Sequence, residues 1–277
     1  HCTSSAASDV YKRQIVYIED GKNNYWIDPT NKVTYGLKIR NDIANKEALI
    51  LKKGVKSLTR IPDFKIEDNK YIHTKEYKFT NNNEATVKSK LYITGDTALA
   101  FSGLEQALPK DKLDQAFKSM HAETEKLVHS NLSSMDLKDS KYKELNSKME
   151  YEAESLGKNT NGVNVFTLSS RFFSLVYLDD FENKVMNHFF GLKQHINLKY
   201  KYYNIFAMGD FPQDCNIDTK WAKVTRKFDL NKEGIFVEDN IMIKNSFVDS
   251  SEYKGNDFAM FIDDVVRCAR NSQFAYS

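Results

Sequence analysis

The stretch from Val163 to Met208, VNVFTLSSRFFSLVYLDDFENKVMNHFFGLKQHINLKYKYYNIFAM, constrains the chain more than any other, because it gathers eleven aromatic residues into about a sixth of the length. Phe166, Phe172, Phe173, Tyr177, Phe181, Phe189, Phe190, Tyr200, Tyr202, Tyr203 and Phe206 bring the largest burial area per residue, so much of the apolar free energy of folding is expected here. The periodicity predicts strands over Val163 to Leu168, Arg171 to Leu178 and Ile196 to Met208, with a helix over Asp179 to Phe190. Asp179 or Asp180 can cap that helix, Phe181, Val185 and Phe189 repeat at four-residue spacing, and Gly191 ends it.

The other end of the chain reads differently. Residues 1–14, HCTSSAASDVYKRQ, show no periodicity, and Ser4 to Gln14 is what results from translating the adapter DNA of transposase-based sequencing libraries. The native sequence is therefore expected to begin at or before Ile15. Without that segment the basic and acidic residues number 38 and 37, a balance that marks neither a polyanion binder nor an acidic tail. Cys215 and Cys268 are then the remaining cysteines, too few for a disulfide scaffold or a four-thiolate zinc site, which makes a reducing cytoplasm the default expectation. No apolar run reaches the length of a membrane span, so no membrane partner is expected.

Residues 15–102 read as a β-rich region. A hairpin-like pattern runs from Ile15 to Arg40, a short helix over Asn41 to Lys53, a second hairpin over Lys65 to Phe79 turning at Glu67-Asp68-Asn69-Lys70, and a further strand over Ala85 to Thr94. Residues 103–157 read as an antiparallel helical hairpin. Leu113, Phe117, Met120, Leu127 and Val128 make one apolar stripe, and Tyr142, Leu145, Met149, Ala153 and Leu156 the other. Residues 158–277 form the α+β core region, with strands over Ala222 to Leu230 and Ile235 to Ile243 and a closing helix over Asp257 to Arg270. The fold class so predicted is α+β: an antiparallel N-terminal sheet, a central helical hairpin, and C-terminal mixed strands and helices.

Two patterns suggest chemistry. Pro62-Asp63 followed by Glu76-Tyr77-Lys78 resembles the PD-(D/E)xK pattern of metal-dependent nucleases, which implies Asp63 and Glu76 holding Mg²⁺ and Lys78 orienting water. The expected turn at Asp68-Asn69 would set Asp63 opposite Thr74 and on one face with Glu76 and Lys78, although Tyr71, Tyr77 and Phe79 mark the other face as the core side. Tyr177-Leu178-Asp179-Asp180 resembles the YxDD hairpin of reverse transcriptases, yet an Asp pair capping a helix explains the same residues.

A third pattern mixes basic and aromatic residues: Lys193, Lys199, Tyr200, Lys201 and Tyr203, then Lys220, Trp221, Lys223, Arg226 and Lys227. Strand alternation puts Lys199, Lys201 and Tyr203 on one face and Tyr200 and Tyr202 on the other. Such a strand can neutralise phosphates and stack bases, or it can simply hold solvated lysines outside and tyrosines inside. His188 and His195 have no zinc-ligand spacing, no other metal site is indicated, and Cys215 beside acidic neighbours makes a poor nucleophile. The function expected from sequence is a non-catalytic binding or interaction protein without a cofactor. Its expected partners are single-stranded nucleic acid on the basic strand or a protein on the helical arm 103–157. The alternative is a Mg²⁺-dependent nuclease at Asp63, Glu76 and Lys78.

Overall fold

The computed structural model describes residues 14–29, 39, 43–63, 65–81, 83–123, 125–139, 143–168, 188–189, 192–270 and 273–277. The chain divides into two units, residues 1–64 and 65–277. In the first, β1 (Val16–Asp20) and β2 (Asn23–Ile27) form a hairpin, and β3 (Glu47–Ala48) pairs with β4 (Thr59–Arg60). Trp26, Ile43 and Ile61 are its buried centre. The helix expected over Asn41 to Lys53 is replaced, in its described part, by turns and the short strand β3.

The second unit is built on β5 (Lys70–Asn81), β6 (Glu84–Thr94), helices α1 (Asp96–Ala107) and α2 (Lys110–Ala122), β7 (Lys126–Asp139) and β8 (Lys143–Glu154). There follow β9 (Gly157–Thr160), β10 (Val163–Thr167), β11 (His188–Phe189), β12 (Gln194–Tyr203), β13 (Ala207–Met208), β14 (Cys215–Asp218), β15 (Ala222–Asn231), β16 (Gly234–Ile243) and β17 (Phe247–Val248). Helix α3 (Asn256–Arg270) and β18 (Gln273–Tyr276) complete it. Eight strands make one sheet in the order β14-β15-β16-β12-β5-β6-β8-β7, with every neighbour antiparallel except the central pair β12 and β5. Strands β13, β18, β10 and β9 make a smaller sheet.

Alternation gives the large sheet one apolar and one polar face. On β5 the residues Tyr71, His73, Lys75, Tyr77 and Phe79 are buried, and on β8 so are Leu145, Ser147, Met149, Tyr151 and Ala153. Leu113 and Phe117 of α2 and Phe258, Phe261 and Val265 of α3 belong to the same core as these strands. Asn69, itself buried, ties three elements at one end: its amide donates to Lys193 O at 3.0 Å, its Oδ1 accepts from Asp96 N at 2.7 Å, and its carbonyl accepts from His195 N at 2.8 Å. Gly95 passes this side chain with φ 76°, and a Cβ there would lie 1.7 Å from Asn69 Oδ1, so only glycine fits.

These observations correct the predicted α+β class: the chain is mostly β. The helical pair lies at 96–122, while residues 126–139 and 143–154, expected as the end of the first helix, the break and the second helix, form the antiparallel strands β7 and β8. The spacing of Leu145, Met149 and Ala153 is four, which a helix face accepts, but four is also a multiple of two. With Ser147 and Tyr151 filling the intermediate positions, the segment satisfies a strand on a large sheet. Leu108 is extended because Pro109 follows it, and this separates α1 from α2. The hairpin expected over Lys65 to Phe79 is a 3₁₀ turn (Ile66–Asp68) and then one long strand, so Thr74 faces Lys90 and Lys199, and not Asp63. The strand expected over Arg171 to Leu178 lies outside the described residues, as does the helix over Asp179 to Phe190 except for His188 and Phe189, which pair with Val248 and Phe247.

Cys215 on β14 and Cys268 on α3 are disulfide-bonded, with Cα atoms 5.9 Å apart, which corrects the expectation of two free thiols. The bond closes a loop of sequence separation 53 and ties an outer strand to the helix of its own half. Reduction, or Cys215→Ala with Cys268→Ala, is expected to lower unfolding stability by about 4 kcal/mol, the loop-closure contribution for that length. Chemical denaturation with and without reductant measures the loss; an unchanged midpoint would show that the bond does not restrain the unfolded chain.

Candidate functional site

Polar groups do not sit at core positions of a sheet without compensation, and β5 carries two in succession. His73 and Lys75 share the parity of Tyr71, Tyr77 and Phe79, and both side chains are 0% exposed. The Lys75 ammonium lies 2.9 Å from Glu125 Oε1, 3.4 Å from Glu123 Oε2 and 3.5 Å from Ala122 O. Ala122 ends α2, and both glutamates come from the connection between α2 and β7. Glu123 caps α2 with φ 56°, a left-handed conformation normally left to glycine, and from there its carboxylate reaches back over β5. The C-terminal carbonyl end of a helix also favours a cation, which suits the bond from Lys75 to Ala122.

Beside this ion cluster runs a chain of alternating imidazoles and hydroxyls. His73 Nε2 lies 2.8 Å from Ser89 Oγ, which lies 2.7 Å from His121 Nδ1, and His121 Nε2 lies 2.8 Å from Ser147 Oγ. His73 Nδ1 is 3.5 Å from Glu123 Oε1. A bare Nδ1 lone pair would be repelled by that carboxylate, so Nδ1 carries a proton. With His73 neutral, one direction then serves all three hydrogen bonds: Ser147 donates to His121, His121 to Ser89, and Ser89 to His73 Nε2, with His73 Nδ1 facing the Glu123 carboxylate at the longer distance. The opposite direction requires His73 to be an imidazolium. His121 is held neutral, since burial first and then neighbouring positive charge keep it at about 3.

Glu125 joins the cluster to open space. The hydroxyls of Tyr77 and Tyr151 both donate to its carboxylate, one to each oxygen, and Tyr151 also donates to His121 O at 3.3 Å. Burial, reinforced by the Glu125 charge, pushes both phenols well above the usual tyrosine range and keeps them donors. The Tyr77 and Tyr202 rings stack at 4.7 Å, and Phe166 meets Tyr202 edge-on at 4.9 Å. These three rings and Glu125 line a cavity of about 220 Å³, with Ser155, Leu156, Thr167 and the paired Lys126 and Glu154 also on the wall.

None of the predicted catalytic or nucleic-acid-binding residues lines this cavity, although Tyr77, Leu156, Phe166 and Tyr202, expected as apolar or core positions, do. Lys199, Lys201, Tyr203, Lys223 and Lys227 lie on the polar face of the large sheet. Lys201 sits 3.1 Å from Glu76 and Lys199 3.3 Å from Glu238, each across one strand pair, while Lys223 is 3.9 Å from Asp218. Tyr200 is buried on the opposite face. Trp221 packs in the core against Phe258 and Phe261, and the buried Arg226 forks onto Asp239 at 2.6 and 2.7 Å. Lys220 pairs with Glu252, and the Lys193 amide donates to Ser246. Lys78 follows Glu76 on the polar face, while Asp63 belongs to the first unit. Tyr177 to Asp180 lie outside the described residues. His195 Nε2 is 3.3 Å from Asn240 Oδ1, and among the described residues no three His, Cys, Asp or Glu side chains are grouped as metal ligands.

The cluster residues went unread in the sequence, although His73 and Lys75 stand at core parity between aromatics, which is a legible signal. No known protein family, curated protein or solved structure matches the chain. The cluster carries a pH signature. His121 is held below its unfolded value of roughly 6.5, so the unfolded chain binds the extra proton first. The stabilisation is full above about pH 6.5 and is lost at about 1.4 kcal/mol per pH unit as pH falls toward 3. Denaturation midpoints between pH 7 and pH 4, compared with His121→Gln, measure it; equal slopes for both proteins would remove His121 as the cause.

Proposed function

We propose that the chain is a non-catalytic binding protein whose ligand occupies the cavity beside Glu125. The observation that carries this reading is a nearly buried carboxylate held by Lys75, Tyr77 and Tyr151 at the wall of an aromatic cavity of about 220 Å³. Apolar side chains of similar volume would fill such a core with equal or better stability, so ionised groups gathered at one cavity support a role in recognition. The serines next to histidines have the spacing of activated nucleophiles, but Ser89 and Ser147 are each 1% exposed and both imidazoles fully buried, and this supports a structural role for them.

Other readings have less behind them. A nucleic-acid surface on β12 would draw on Lys199 and Lys201, whose charges are directed at Glu238 and Glu76, and on Tyr200, which faces the core. A Mg²⁺ nuclease would need Glu76, which accepts from Lys201 at 3.1 Å. Among the described residues no helix is long and apolar enough to cross a membrane. The Cys215–Cys268 bond supports an oxidising surrounding over the cytoplasm.

Blocking the cavity tests the reading. Thr167 is an exposed wall residue, so Thr167→Trp fills the space with little disturbance of the core. Ligand-observed NMR with a mixed set of neutral, anionic and cationic fragments is expected to find compounds that lose saturation transfer on this variant. A set in which no signal depends on Thr167→Trp would overturn the proposal.

A further inference from the structure

The ligand's chemical class follows from the charge and surface of that same cavity, and the argument rests on the binding reading above. Lys75 is one ammonium between two carboxylates, Glu123 and Glu125. The adjoining His121 stays neutral, and the Lys126–Glu154 pair cancels itself. Two carboxylates thus share one ammonium beside the cavity, in surroundings that screen charge poorly.

The surface repeats the same preference. An anion entering the cavity would meet the carboxylates of Glu125 and Glu154: the lining ammonium of Lys126 is paired with Glu154, the Lys75 ammonium and the Tyr77 and Tyr151 hydroxyls point at Glu125, and the hydroxyls of Ser155, Thr167 and Tyr202 are neutral groups that donate or accept. What the wall offers a cation is the Glu125 carboxylate and the rings of Tyr77, Tyr202 and Phe166, whose negative faces attract cations. A bare divalent metal is the wrong cation: it needs about six oxygen ligands, and among the described residues no three His, Cys, Asp or Glu side chains gather as metal ligands. The volume fits about seven water-sized groups at roughly 30 Å³ each, which is the size of a small substituted amine.

From this geometry we infer that the cavity binds a small organic cation, an alkyl- or quaternary ammonium with its charge against Glu125 and its alkyl groups against the Tyr77, Tyr202 and Phe166 rings. Choline and 3,3-dimethyl-1-butanol have the same shape and differ in charge, so they separate charge recognition from simple filling of the space.

The test is titration of the whole chain, by calorimetry or ligand-observed NMR, with choline, n-butylammonium, 3,3-dimethyl-1-butanol and butyrate. At least one of the cations is expected to bind tenfold or more tightly than the neutral alcohol, with butyrate weakest. In Glu125→Gln that preference should collapse to less than threefold. Because this change could unsettle the core, Phe166→Leu is a second variant, expected to weaken choline severalfold by removing one ring while leaving the carboxylate in place. The alcohol or butyrate binding as well as the cations, in a manner abolished by Thr167→Trp, would overturn the cationic class and leave the cavity reading standing. Failure of both cations to bind would also overturn it, and the fragment screen on Thr167→Trp would then decide the cavity reading separately.

Discussion

The burial of the Lys75 ammonium is the constraint on which the second unit turns. An ion of that size costs several kcal/mol to remove from water, and only close, well-directed opposite charge offsets it. The sheet cannot supply that charge from neighbouring strands: Lys75 is flanked in register by Tyr200 on β12 and Ser89 on β6. The carboxylates arrive from the connection after α2, and so the end of that helix, the left-handed Glu123 and the entry into β7 are all tied to one atom on β5. Helix α2 is thereby fixed over the sheet by charge as well as by Leu113 and Phe117.

The same arrangement explains why hydroxyls and imidazoles gather where apolar residues would pack. Ser89 and Ser147 stand at core positions of β6 and β8, and each is small enough to leave room for His121 between them. His121 lies one turn from Phe117 on α2, so the helix inserts one apolar and one polar side chain into the core side by side. A satisfied network of this kind rigidifies its surroundings, and a half-satisfied one would be worse than an apolar core. The continuous chain of hydrogen bonds from Ser147 to His73 is what makes the burial tolerable.

How much of this could be read beforehand divides along the range of the interactions. Local alternation was legible: Lys199 and Lys201 outward with Tyr200 and Tyr202 inward, the strands at 222–231 and 234–243, and the amphipathic helix at 256–270 all follow from neighbouring residues. Residues 143–154 were not, because a four-residue repeat fits both periodicities and the deciding factor is a sheet assembled from distant segments. The site was legible only in half. His73 and Lys75 at core parity on β5 announce a need for partners, but Glu123 and Glu125 stand 48 and 50 residues from Lys75, and nothing in their local sequence points back to it. The cysteines are alike: at a sequence separation of 53, two thiols read as unrelated until the fold brings β14 to α3.

The large sheet buries a second cation, and the two differ in where the opposite charge comes from. Arg226 and Asp239 are register partners on adjacent strands, and the guanidinium meets both carboxylate oxygens through Nε and Nη2, so the carboxylate is satisfied from the neighbouring strand. Burial pushes Asp239 upward while the fork pulls it down, a balance contained within two strands. Lys75 has one point charge to share between two carboxylates drawn from a loop, and a point charge cannot saturate four oxygens. The Tyr77 and Tyr151 hydroxyls supply further donors to Glu125, which, held by them and by Lys75, lies on the cavity wall. A cation met within two strands explains itself as part of the sheet; two carboxylates sharing one ammonium beside aromatic walls is the arrangement on which the proposed binding site rests.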